Sequence, residues 1–119
     1  YSAERLSLSV PGREPGIAQR ARDYLQEHYQ ENISLQQLAH ASNCSPFHLH
    51  RIFCAEIGLP PHLYQNQLRV ARAKQLLAQG HAPVEVALQT GFASQSHLGW
   101  HFKRIVGITP GQYLRANSR

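Results

Sequence analysis

The stretch SQSHLGWHFKRIVGITPGQY at residues 94–113 repeats the stretch SPFHLHRIFCAEIGLPPHLY at residues 45–64 with its landmarks in register. An offset of 49 pairs Ser45 with Ser94, His48 with His97, Leu49 with Leu98 and Phe53 with Phe102. The same offset pairs Gly58 with Gly107, Pro61 with Pro110 and Tyr64 with Tyr113. Just upstream it becomes 48, pairing Ala39 with Ala87 and Asn43 with Gly91, so the slip of one residue falls in a turn. A period of this length marks a duplicated supersecondary unit, and two copies make a duplication, not a solenoid.

Each copy reads as a short helix, a sharp turn and a longer capped helix. Asn43 and Gly91 occupy the turn, and Asn and Gly enter the left-handed backbone region at least cost. The alanine four residues earlier, Ala39 or Ala87, lets two helices cross closely. Ser45 and Ser94 are N-cap residues, whose side-chain oxygen accepts a free backbone N–H, and Pro46 is preset for a first turn. The unit is a helix-turn-helix.

Working outward, helix signals fill the chain and strand signals are almost absent. Ile17, Ala21, Tyr24, Leu25 and His28 or Tyr29 form the stripe of an amphipathic helix over 17–30. Ser34 with Gln37 is a capping box opening a helix to Ala41. Pro60-Pro61 begin the longest helix, which runs to Gln79 with Leu63, Tyr64, Leu68, Ala71, Leu76 and Leu77 as expected core, and Gly80 closes it. Pro83 starts a short helix through Thr90. Thr109, Pro110 and Gln112 start a last one at 110–116. The expected fold is all-α, with about seven helices in two helix-turn-helix subdomains joined by a long connecting helix. The expected division is a linker or tail at 1–16, a first subdomain at 17–59, the connecting helix at 60–80 and a second subdomain at 81–119.

The 119 residues suffice for a core without disulfide staples, and 42% apolar content excludes a disordered chain. No apolar run approaches the ~20 residues of a membrane span, and no stretch has signal-peptide form. Cys44 and Cys54 are too few for a disulfide framework, which points to a reducing, cytosolic setting. With no methionine and Tyr1 first, the chain reads as a piece of a longer protein. The net charge of +5 is uneven: residues 1–60 sum to −1, while residues 61–119 set seven Lys or Arg against Glu85 and sum to +6. A basic half with one acid suggests a polyanionic partner, of which nucleic acid is the commonest; the alternative is a solvated basic face with no partner, and charge alone does not decide between them.

From Ile33 to Tyr113 the chain resembles the DNA-binding domain of AraC/XylS-type transcription regulators. The second copy carries the signature in Gly91-Phe92, Gln95-Ser96-His97-Leu98, Phe102-Lys103-Arg104, Gly107-Ile108-Thr109-Pro110 and Tyr113. The connecting helix is similar as well, in Leu68-Arg69-Val70-Ala71-Arg72-Ala73-Lys74-Gln75-Leu76-Leu77. The resemblance implies sequence-specific double-stranded DNA binding by a bacterial, cytoplasmic regulator, nucleoid-associated when bound. It also implies an effector-binding or dimerisation domain N-terminal to this segment and, for activators, contact with RNA polymerase.

A connecting helix of about 18 residues spans roughly 27 Å. With helix widths added, the recognition helices at 45–57 and 94–106 stand about one DNA turn, ~34 Å, apart and enter successive major grooves. On the first, Leu49, Ile52, Phe53 and Glu56 are expected inward, leaving Pro46, Phe47, His50, Arg51 and Cys54 outward. Arg51 can fork onto guanine O6 and N7, His50 can bond a base edge and Phe47 can meet a thymine methyl. On the second, Leu98, Phe102 and Ile105 are expected inward and Gln95, Ser96, Gly99, Trp100 and Lys103 outward. Gln95 can pair with adenine, and Ser96 and His97 lie within reach of bases or phosphates. Trp100 stands where the family commonly has arginine, matching Arg51; an indole has one donor and no fork, so apolar contact with methyls or sugars is expected there. Ser34, Ser45 and Ser94 at helix starts, His48, Lys103 and Arg104 are the phosphate candidates. Arg69, Arg72 and Lys74 on the connecting helix are further ones, their orientation open.

Other classes fare worse. His97 and His101 have chelating i, i+4 spacing, but the glutamate of an HExxH pattern is missing and His101 matches Ile52, a packed position. No Gly-rich phosphate loop and no nucleophile–base–acid set is present, so neither catalysis, a metal nor a cofactor is expected. The rival reading is a helical protein-interaction module that leaves DNA alone. Its outward faces would be apolar and charge-poor, whereas these carry Arg, Lys, His, Gln and Ser beside Phe47 and Trp100.

Overall fold

The computed structural model describes residues 16–117, so nearly all of the expected tail at 1–16 lies outside the described residues. Seven helices and no strand occur among them: α1 (Ile17–His28), α2 (Leu35–Ala41), α3 (Pro46–Ile57), α4 (Pro61–Ala78), α5 (Pro83–Thr90), α6 (Gln95–Val106) and α7 (Pro110–Ala116). The molecule measures 49 × 28 × 20 Å.

The expected caps form. Ser34, Ser45, Ser94 and Thr109 accept the backbone N–H three residues on, at 3.0, 3.2, 3.1 and 3.1 Å. Gln37 and Gln112 reach back to complete capping boxes. Both turns are left-handed, with φ 60° at Asn43 and φ 92° at Gly91. At Gly91 there is a second reason for glycine: a Cβ would overlap the backbone carbonyl of Gln30.

The duplication extends to packing. Phe53 and Phe102 are fully buried, and Tyr64 and Tyr113 meet them edge-on, at 5.7 Å and 73° in one copy and 5.5 Å and 71° in the other. Two buried hydroxyls add an unforeseen pair: Ser42 donates to the Leu38 carbonyl at 2.8 Å and Thr90 to the Val86 carbonyl at 2.7 Å. Each thereby satisfies a buried donor that would otherwise be costly.

There are two apolar cores. Ala21, Leu25, Leu38, Ala39, Leu49 and Phe53 form one, with Tyr64 and Leu68 of α4 against it. Val70, Ala73, Leu76, Leu77, Val86, Ala87, Phe92, Leu98 and Phe102 form the other. Helix α4 serves both in succession, which corrects several expectations. Leu63 and Ala71 are exposed instead of core, while Gln65, Arg69, Val70 and Ala73 are buried. A helix that changes partner along its length rotates its buried stripe, so one stripe drawn through the whole helix fails. Glu56 and Ile105, both expected inward, are exposed as well. They are equivalent positions in the repeat, in the last turns of α3 and α6, where the next residue, Ile57 or Val106, packs on the core and turns them to solvent.

Candidate nucleic-acid interface

Helices α3 and α6 each bury one side and leave the other in solvent. On α3 the buried side is Leu49 and Phe53. Phe47 (79% exposed), His50 and Arg51 stand out, while His48 and Cys54 are half-buried. Arg51 Nη2 donates to His48 Nδ1 at 3.1 Å, which steers the guanidinium along the N-terminal half of the helix. The His50 ring lies 3.9 Å from the Cys54 sulfur and lines a small cleft with Ser34, Leu35 and His62. Helix α3 thus gathers Phe47, His48, His50 and Arg51, and Ser34, at the start of α2, shares the cleft beside His50.

On α6 the buried side is Leu98 and Phe102. Gln95, Ser96, His97, Trp100, Lys103 and Arg104 are exposed. Gln95, Ser96 and Gly99 border an open cleft with Pro83, Thr109 and Pro110. Trp100, 58% exposed, does not stand alone: the Arg104 guanidinium sits 4.7 Å from its ring centroid. Such stacking is worth about 0.5–1 kcal/mol at an exposed site and holds the cation in place. The i, i+4 spacing of the two residues is the signal by which the sequence could have revealed this pair.

His97 and His101 form a hydrogen-bonded pair, Nε2 to Nε2, at 3.1 Å. The Ala93 amide donates to His97 Nδ1 at 3.4 Å, so both ring nitrogens of His97 have partners. The His101 ring stacks on Phe92 at 5.6 Å and meets Trp100 edge-on at 4.9 Å. Burial, then His97, Arg104 and Arg69, hold its pKa below the ordinary value. It is the packed histidine that the repeat implied. Among the described residues no three His, Cys, Asp or Glu side chains gather as a metal site.

The free amides at the starts of α3 and α6 add a partial positive charge where an anion would sit. Neither helix has an acid in its first turn, and Lys103 and Arg104 lie in the last turn of α6. Arg69, considered above for phosphate, is removed from any such role. It is 7% exposed, and its Nε and Nη2 donate to backbone carbonyls of the α1–α2 loop.

Two capped helix-turn-helix units in tandem, with the polar faces of their second helices outward, define a nucleic-acid-binding helical module. A helix-turn-helix domain family model matches residues 38–116. The chain belongs to the AraC-type helix-turn-helix family of transcription regulators. It is 44% identical over 76 residues to the uncharacterized HTH-type transcriptional regulator YbfI of Bacillus subtilis, a match covering 64% of this chain and 28% of the relative. It is 36% identical over 87 residues to the HTH-type transcriptional regulator MtrA of Neisseria gonorrhoeae, covering 72% of this chain and 29% of the relative. Among solved structures it resembles the C-terminal domain of AraT, a response regulator from Geobacillus stearothermophilus. That match has a TM-score of 0.81 and 30% identity, over 87% of this chain and 88% of that one. It also resembles the DNA-binding domain of the global transcriptional factor AdpA in complex with a target DNA. There the TM-score is 0.80 and the identity 28%, over 86% and 93% of the two chains. The chain spans 28%, 37% and 41% of the length of three curated relatives. No helix among the described residues is long and apolar enough to cross a membrane.

Proposed function

We propose that this chain binds double-stranded DNA sequence-specifically as the DNA-binding module of a transcription regulator, α3 and α6 entering successive major grooves. The observation that carries the reading is the tandem itself: two units alike in cap, turn and core, each offering a polar helix face, joined by one 18-residue helix. That helix is about 27 Å long, of the order of one DNA turn once helix widths are added. We take the functional division as 17–59, 60–80 and 81–119, with α4 common to both units.

In this reading Phe47, His50 and Arg51 on α3, and Gln95, Ser96, His97 and Trp100 on α6, face bases. Ser34, Ser45, His48, Ser94, Lys103 and Arg104 face phosphates. The intact regulator carries an effector-binding or dimerisation domain N-terminal to this module, touches RNA polymerase as an activator and works in the cytoplasm on the nucleoid. The module has no catalytic role.

Selection of this chain against random-sequence duplex, followed by salt titration of the winners, tests the proposal. Two specified blocks about one turn apart, with a steep salt dependence, are expected. A single block would remove base reading from α6, and salt-sensitive but sequence-blind binding would remove it from both helices. No binding at low salt would leave the protein-interaction module as the reading.

A further inference from the structure

The two units have separate apolar cores, and α4 runs between them. Beyond that helix, the α1–α2 loop of the first unit meets the turn of the second, and polar bonds from α4 hold that loop in place. Gln65 and Arg69, one turn apart on α4, both reach the α1–α2 loop of the first unit. Gln65 Nε2 donates to the carbonyls of Tyr29 and Glu31 at 3.0 and 2.8 Å. Arg69 donates to the same two carbonyls, from Nε at 2.7 Å and from Nη2 at 3.0 Å. Each oxygen thus uses both of its lone pairs. Between the two, the Gln30 backbone abuts Gly91, the turn of the second unit, so closely that a Cβ there would overlap it. The Arg69 guanidinium in turn lies 5.5 Å from the centroid of Phe92, the residue after that turn.

Stability alone does not explain these residue types. Arg69 is 7% exposed and makes no ion pair among the described residues; burial pushes its pKa down. An aliphatic pair at 65 and 69 would seal the same junction without desolvating a charge. What four hydrogen bonds add is direction. An apolar contact slides at little cost, whereas short bonds to two fixed carbonyls admit one position of the loop.

We propose that Gln65 and Arg69 are positioning residues that lock the angle between the two reading heads, and so set which spacing of the two DNA blocks the chain accepts. The proposal rests on the two-groove reading for its consequence on DNA, and on the structure alone for the lock. One added base pair displaces the second block by about 3.4 Å and rotates it by about 35°. A locked pair of heads pays for that shift; a hinged pair follows it.

The test uses this chain with Gln65→Met and Arg69→Met together, which keep bulk and remove every donor of the junction. Amide residual dipolar couplings are measured for both cores, and affinity is measured for duplexes whose blocks stand at the selected spacing or one base pair nearer or farther. In the wild type both cores are expected to fit one alignment tensor, and a one-base-pair shift is expected to cost about tenfold in affinity. In the double variant each core is expected to keep its own spectrum, the two to need separate tensors and the spacing penalty to fall to about threefold or less. A folded variant that still fits one tensor overturns the lock. Should the double variant fail to fold, Gln65→Met alone removes two of the four bonds and no charge, and the same readouts decide. A wild type with one tensor and no spacing preference leaves the lock standing and overturns the two-groove reading.

Discussion

Gly91→Ala is the substitution whose cost the structure divides into parts. The first part is backbone. At φ 92° any side chain is strained, and a left-handed residue other than glycine costs roughly 1–2 kcal/mol. Gly58 at the end of α3 has the same φ of 92°, and a Cβ there would meet nothing within 4 Å. Gly58→Ala therefore measures the backbone cost alone. The second part is contact: at Gly91 the added Cβ would overlap the Gln30 backbone, which no rotamer change relieves. Forcing such a contact apart costs typically 1–3 kcal/mol, so the total is about 2–5 kcal/mol. For a domain of this size each 1 kcal/mol moves Tm by about 4–8 °C. Thermal unfolding followed by helical circular dichroism should show Tm lowered by roughly 4–16 °C for Gly58→Ala and by roughly 8–40 °C for Gly91→Ala. If the two variants melt within about 3 °C of each other, the close approach of Gln30 to Gly91 is not a feature of the folded protein. The contact between the two units drawn from it would go too.

Three further outcomes are expected. Arg51→Ala should relax the selected base at one position of one block by about 1–3 kcal/mol and leave the other block unchanged, read by repeating the selection. Ser94→Ala removes the oxygen that accepts the His97 amide at 3.1 Å, and should cost about 1 kcal/mol in denaturant unfolding; Ser94→Gly should cost a few tenths. His101 has a folded pKa below its ordinary value of 6.5, so the unfolded chain binds its proton more readily. The neutral ring's contribution to stability is therefore present above pH 6.5 and lost as pH falls through the folded value. Tm measured from pH 7.5 to 5 should fall more steeply for the wild type than for His101→Phe, which keeps the stack on Phe92 without a proton to gain.

What the sequence made legible is what local chemistry decides. Caps, turn residues and glycine stops act within four residues of themselves, and α2, α3, α5, α6 and α7 lie where those signals put them. The repeat added a check that no single copy offers, since a landmark present twice at one offset is not chance composition. Non-local pairing is what stayed hidden. Gln65 has no part in the stripe drawn through α4 and Arg69 reads only as a phosphate candidate of open orientation, because their carbonyl partners lie 34 to 40 residues upstream. Leu63 and Ala71 read as core because a stripe was assumed to keep one partner along α4. Glu56 and Ile105 failed together, as equivalent positions should when the cause is geometric and not particular to one residue. For the candidate interface, exposure of Phe47, His50, Arg51, Gln95, Ser96 and Trp100 followed from the buried stripes of α3 and α6. The pairing of Trp100 with Arg104 was signalled only by their i, i+4 spacing.

That pairing changes the meaning of the departure at Trp100. Read position by position, the second helix has lost the guanidinium that Arg51 supplies to the first. Taken over the whole helix, the cation has moved: Arg104 matches Ala55 in the repeat, so α3 carries Arg51 and Ala55 where α6 carries Trp100 and Arg104. Four residues are one helical turn, about 6 Å along the axis. In a helix-turn-helix the N-terminal residues of the second helix contact base edges. A guanidinium one turn further on lies away from the bases and nearer the backbone. Arg104 is laid over the indole, and on the proposed reading it would meet a phosphate there while Trp100 would offer its apolar edge to the groove. On that reading the two copies would divide the work: α3 would supply a fork that discriminates guanine, and α6 a phosphate contact from Arg104 beside Lys103. The two roles separate by salt. Loss of Arg104 should weaken binding to all sequences alike and reduce the salt slope by about one unit, whereas loss of Arg51 should spare nonspecific affinity.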